Sequence, residues 1–127
     1  MSIPFQALQR INPQNLNQTP KYYAQLLSSG TVDLDQIAAL MSDGSTVRQN
    51  DIYAVLIGMV NEISKQLSQG KIVCIDHLGT FRLSARSQAA TTAAEVKPSL
   101  IKKSVILYKP SKRLNTTLRT LKYKKLK

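Results

Sequence analysis

At 127 residues, 43% of them apolar, the chain is sized for one globular domain. A domain this small buries only about two thirds of its unfolded surface, so help from a partner subunit is no surprise. The single cysteine excludes an internal disulfide and cannot by itself build a tetrahedral zinc site; no apolar run nears the roughly 18 residues of a membrane span, and the start MSIPFQALQR lacks the apolar core and cationic lead of a secretory signal, which points to the cytosol.

The first segment, IPFQALQR from Ile3 to Arg10, mixes apolar and polar residues and gives way to NPQNLNQTP, whose Asn-Pro and Pro20 mark a loop. KYYAQLL, Lys21 to Leu27, has the tyrosine content of a short strand and is closed by Ser28 to Gly30. An N-terminal β-hairpin with a long connection is expected. VDLDQIAALMSDG then predicts a helix: Asp33 is placed to cap it, Gln36 holds the capping-box position, Leu34, Ile37, Ala38 and Met41 keep helical spacing, and Gly44 stops it.

A second helix is predicted from Ile52, Val55, Leu56, Met59, Val60, Ile63 and Leu67, which recur at helical spacing until Gly70. Tyr53 and Ile57 widen its apolar face beyond one stripe. A helix that apolar meets two surfaces, one of which can belong to another subunit. KIVCI, Lys71 to Ile75, is an apolar run of strand length without alternation, which predicts burial on both faces. DHLG supplies a turn. In TFRLSAR, Phe81, Leu83 and Ala85 alternate with Arg82, Ser84 and Arg86, so one side of this strand can pack while the other meets an anion.

Ser87 to Ser99 is poor in large apolar residues and predicts a flexible excursion, after which LIKKSVILY, Leu100 to Tyr108, returns as a strand. At the end, Ser111 is placed to cap a short helix with Leu114, Leu118 and Leu121 on one side, followed by a basic frayed tail.

The charge is as uneven as the hydropathy. Residues 1–70 hold Arg10, Lys21, Arg48 and Lys65 against five acids, a net charge of −1; residues 71–127 hold fourteen basic residues against Asp76 and Glu95, a net charge of +12 within the total of +11. A field of that strength repels itself unless a polyanion neutralises it. Nucleic acid is the first candidate, an anionic membrane surface the second, and solubility alone the plain alternative. A membrane reading needs bulky apolar groups opposite a basic helical face, and the last helix offers only leucines at core-like spacing.

Taken in order, two helices, GKIVCIDHLGTFRL, a flexible excursion, a returning strand, YKPSK and a final helix resemble the HU/IHF family of bacterial histone-like proteins over about Asp33 to Lys122. Gly70 to Leu83 is similar to the family's glycine-started strand, aromatic-Gly-x-Phe turn and outgoing strand, with Leu78 in place of the aromatic residue. YKPSK resembles the family's Phe-Lys-Pro-Gly-Lys at Tyr108, Lys109, Pro110 and Lys112, with Ser111 in place of the glycine. Ile3 to Gly30 and HLGTFRL look like the HU-related branch of Bacteroidetes.

The resemblance implies an α+β fold in an intertwined homodimer: a helical base, a β-sheet extended into a β-ribbon arm, and extra N-terminal strands. One structural domain is expected overall, with a hairpin extension over 1–32 and an HU-like DNA-binding domain over 33–127. The implied function is binding, bending and condensing duplex DNA with little sequence preference, as a nucleoid-associated architectural protein. Phosphate neutralisation then supplies affinity, and an inserted arm converts unstacking cost into a larger wrapped surface. No cofactor, small-molecule substrate or membrane partner is implied.

The residues assigned to DNA are Arg82, Arg86, Lys97, Lys102, Lys103, Lys109, Lys112 and Arg113, of which about half should touch phosphate, since a ribbon has a face turned away from its ligand. Lys122, Lys124, Lys125 and Lys127 should add diffuse attraction. The family's arm tip, Gly-x-Asn-Pro-x-Thr, is absent; Pro98 is the one proline there and the candidate for intercalation, its alternative role being to stop the arm's edge from pairing further. Arg48 stands where relatives carry a Ser or Thr cap, so Thr46 is the substitute cap. Two alternatives stay open: RNA binding, for which aromatic stacking platforms are not evident, and a structural or protein-interaction module.

Cys74, Asp76 and His77 raise the one enzymatic possibility, since a thiol, a carboxylate and an imidazole fall within four residues. On a strand Cys74 and Asp76 project opposite to His77, and Val73 and Ile75 mark a sheet interior in which a thiol is a small apolar group. No catalytic or metal-ligating residue is therefore assigned.

Overall fold

The computed structural model describes residues 1–126. They form two compact units: Met1–Asp33 with the chain from Thr117 onward, and Leu34–Thr116.

In the larger unit, α1 (Leu34–Asp43) packs on α2 (Gln49–Ser68), followed by β3 (Val73–Ile75), β4 (Gly79–Ser87), β5 (Ile101–Pro110) and α3 (Lys112–Thr117), whose final residue falls at the boundary. Both long helices form where the apolar spacing predicts them, but Ile37 and Met41 of α1 and Val55 and Val60 of α2 remain exposed. Their contact buries Ala38 and Ile52, while Leu67 is buried near the end of α2. Gln49 Nε2 donates to Asp35 Oδ1 at 3.0 Å, tying the start of α2 to α1. The residue before α2 is Arg48, extended and without a side-chain capping bond, so the cap expected from Thr46 does not form. Gly70, at φ 79, closes the helix with its N–H on the Leu67 carbonyl, and the Lys71 N–H reaches Gln66.

The sheet of this unit has the order β3-β4-β5, antiparallel throughout. β3 is a three-residue edge strand opposite only Gly79 to Phe81, which corrects the expectation of burial on both faces: Val73 and Ile75 are half-buried, whereas Cys74 is exposed. An edge position leaves one flank of the strand to solvent, and only the alternate residues reach the apolar side. Beyond Phe81, β4 and β5 pair only with each other. Their connection is not featureless, for single 3₁₀ turns form at Ala93–Glu95 and Pro98–Leu100, and the Gln88 N–H bonds the Leu100 carbonyl at 2.9 Å to close it.

In the smaller unit, β1 (Ile3–Arg10) and β2 (Lys21–Leu26) form the expected antiparallel hairpin. The basic tail is where expectation and structure part. After α3 and a 3₁₀ turn at Leu118–Thr120, β6 (Tyr123–Lys125) pairs in parallel with Ile3 to Phe5, making a sheet of order β2-β1-β6. Tyr123, aromatic and set between lysines, supplies β propensity that the charge count concealed. Lys127 lies outside the described residues.

Candidate nucleic-acid interface

The β4–β5 register decides which cations act together. Thr80 lies opposite Lys109, Arg82 opposite Leu107, Ser84 opposite Val105 and Arg86 opposite Lys103. Directly opposed residues of an antiparallel pair share a face. Arg82, Arg86, Lys103 and Lys109 therefore project from one side of the sheet, with Thr80 and Ser84 between them, around a centre of Val105 and Leu107. The other face carries Phe81, Leu83, Ile106 and Tyr108. Phe81, Leu83 and Ile106 line an apolar groove of about 450 Å³ with Met59, Ile63 and Leu67 of α2. Within the single chain this apolar face stays largely open, Leu83 and Ile106 being 45% and 61% exposed, and the cations stand on the opposite side.

All eight residues assigned to DNA from the sequence are exposed. Four share the face just described. Lys102 is the extra residue where the register shifts beside Arg86, so Lys102 and Lys103 both stand against Arg86, which concentrates three cations at that point. Lys97 precedes the 3₁₀ turn that Pro98 opens, and Lys112 and Arg113 begin α3. From Lys103 to Lys109 the strand covers six residues, about 20 Å, which matches roughly six base-pair steps of duplex axis. Residues 71–126 contain just two acids, Asp76 in the turn and Glu95 in the loop, where Glu95 accepts from Thr91 Oγ1 at 3.0 Å.

The turn that launches β4 is fixed from β5. His77 sits at φ 71 and its carbonyl accepts from Ser111 Oγ at 2.9 Å; the Leu78 carbonyl accepts from Tyr108 Oη at 2.8 Å and from the Ser111 N–H. Ser111 also caps α3, its Oγ accepting from the Leu114 N–H at 3.2 Å. Gly79 adopts φ 146, and a Cβ there would overlap the Lys109 carbonyl oxygen. Phe81 and Tyr108 stack across the strands with centroids 5.0 Å apart. The Asp-His-Leu-Gly stretch is thus a clamp that fixes the strand bearing Arg82 and Arg86. The Cys74 thiol meets Thr80 Oγ1 at 3.7 Å, and no group of three or more His, Cys, Asp or Glu converges among the described residues.

The polar partners Thr80 and Ser84 were not singled out by charge, although their alternation with the arginines was a readable signal. The tail lysines carried the opposite problem: Lys124 and Lys125 were counted as diffuse charge, yet they are strand residues held against β1. Among the described residues no helix is long and apolar enough to cross a membrane.

The family model described as "HU domain fused to wHTH, Ig, or Glycine-rich motif" matches residues 1–125. The chain belongs to this HU family. Among solved structures, it is similar to a protein of Bacteroides vulgatus ATCC 8482 provisionally described as a bacterial DNA-binding protein, with a TM-score of 0.71 and 13% identity over 98% of this chain. That likeness concerns the fold. The match takes in 48% of the other chain, so the present chain spans about half the length of its solved relative. No curated protein matches it.

Proposed function

We propose that this HU-family chain is a homodimeric architectural protein that binds duplex DNA with little sequence preference and bends or condenses it within the bacterial nucleoid. The observation that carries the reading is the register that places Arg82, Arg86, Lys103 and Lys109 on one face while the apolar residues of the same strands turn to α2. The matched family and the Bacteroides relative support it, as they support the Bacteroidetes branch suggested by Ile3 to Gly30. Lys97, Lys102, Lys112 and Arg113 lie outside this set of four and are secondary candidates for phosphate contact, and Pro98 is the candidate wedge. The proposed division keeps a hairpin extension over 1–32 and a DNA-binding domain over 33–127, with β6 joined to the extension by its pairing with β1.

Surface accounting supports the homodimer. Among the described residues only Ala38, Ile52 and Leu67 are buried apolar side chains. Val55 at 71% exposure and Ile106 at 61% belong to the helix face and strand face left uncovered. A second copy that covers these apolar faces would complete a core that one chain leaves open.

A titration of duplex affinity against salt tests the proposal. Four facing cations from each of two chains give a log-log slope of about −7, at roughly −0.9 per neutralised phosphate. Absence of duplex binding at low salt would refute it, and equal affinity for straight, nicked and pre-bent duplexes would remove bending.

A further inference from the structure

The N-terminal sheet carries an open edge whose backbone pattern is informative. The Leu27 N–H bonds the Pro4 carbonyl, while Ile3 donates to Lys122 and Phe5 accepts from Leu126. Within β1, even-numbered residues therefore address β2 and odd-numbered ones address β6. Through the register, Lys21, Tyr23 and Gln25 answer β1, so Tyr22, Ala24 and Leu26 point their N–H and C=O groups outward. No strand pairs with that edge among the described residues. Natural edges are commonly blunted by central charges, prolines or bulges. From Tyr22 to Leu27 this one has none of them.

We infer that the β2 edge is a self-association surface that receives β2 of a second copy, antiparallel, about a two-fold axis at Ala24. This pairing sets Ala24 against the partner's Ala24 and Tyr22 against the partner's Leu26, using all three outward residues in hydrogen-bonded pairs. Side chains agree with the backbone. Tyr22 and Leu26, 68% and 56% exposed, become cross-strand neighbours on the face where Phe5, Ala24, Leu26 and Tyr123 line a shallow apolar depression, and the partner's Tyr22 fills its open side.

Charge also permits it. Lys21 falls opposite the partner's Leu27, and the two Lys21 side chains are separated by six residues, about 20 Å, well beyond the Debye length of roughly 8 Å at physiological salt. The occupant is a second copy because the edge satisfies itself in this register without opposing like charges. The pairing needs neither DNA nor the α2 groove. If the homodimer of the proposed function forms, each dimer presents two such edges, and two different two-fold interfaces link dimers into a chain.

The experiment uses the full chain without DNA. In Ala24→Pro the lost N–H is one that points away from β1, so the internal ladder keeps its bonds. Sedimentation of the wild type should give at least twice the mass of this variant at equal concentration. In a Cys74→Ser background, Ala24→Cys should form a covalent pair under mild oxidation, because hydrogen-bonded partners place Cα atoms about 5.5 Å apart. Gln25→Cys should not, since Gln25 opposes the partner's Tyr23 and the two cysteines lie beyond disulfide reach. Equal masses for the wild type and a folded Ala24→Pro variant would overturn the inference; so would failure of Ala24→Cys to cross-link, or cross-linking of both cysteine variants alike. If Ala24→Pro does not fold, the cysteine pair decides alone.

Discussion

Arg86 and Lys103 oppose each other on the free face of the ribbon and form the densest point of positive charge on the sheet. Replacing both with glutamine removes two charges per chain and four per homodimer while keeping an unbranched polar side chain at each position. At about −0.9 per phosphate, the salt slope should become shallower by about 3.6. Between 50 and 200 mM salt, a range of about 0.6 decades, the wild type then loses roughly 100-fold more affinity than the variant. Fluorescence anisotropy of a labelled duplex at four or five salt concentrations measures this, with the melting temperature as a control for folding. The two residues are exposed, so stability should change by less than about 0.5 kcal/mol. A slope unchanged from the wild type would show that DNA does not neutralise this face and would refute the assignment drawn from register.

Gly79→Ala should destabilise the larger unit by about 2–5 kcal/mol, because the added methyl meets the Lys109 backbone and φ 146 is strained for an alanine; thermal melting should fall by roughly 10–30 °C. Ser111→Ala removes both the α3 cap and the bond to the His77 carbonyl, for about 1–2 kcal/mol by denaturant titration. Ile106→Asp places a charge on the apolar ribbon face, and in an Ala24→Pro background, where the β2 edge is blocked, light scattering should show the homodimer mass halved. Pro98→Ala should leave short-duplex affinity within about twofold while reducing the bend seen by end-to-end energy transfer; an unchanged bend would remove Pro98 as the wedge.

What could be read from the sequence was periodic. Apolar spacing in α2 and alternation in β4 depend on neighbours along the chain, so Ile52, Leu67 and the split between Phe81 and Arg82 were visible before any fold was known. Strand partners were harder. Cys74 reads as interior because Val73 and Ile75 flank it, but exposure is set by β3 being an edge, a property of sheet order. The same holds for Tyr123 to Lys125, whose β state depends on Ile3 to Phe5 more than a hundred residues away. Cross-strand register was equally hidden: Arg86 and Lys103 are seventeen residues apart, and whether they share a face turns on the shift after Arg86.

The placement of charge and apolar surface also fixes how assembly and DNA binding should respond to salt in the homodimer reading. Two chains whose second halves each carry +12 repel one another, so in the absence of DNA added salt screens that repulsion and favours the dimer. Apolar burial along α2 and the ribbon is not weakened by the same change. DNA binding moves in the opposite direction, because salt opposes counterion release. Duplex therefore does two things at once: it neutralises the cationic faces and removes the charge term that works against the apolar contact. Linkage then requires DNA to tighten the dimer most where salt is lowest. A chain whose dimer weakened on adding salt would hold together by ion pairs between subunits, and a net excess of cations offers few of those.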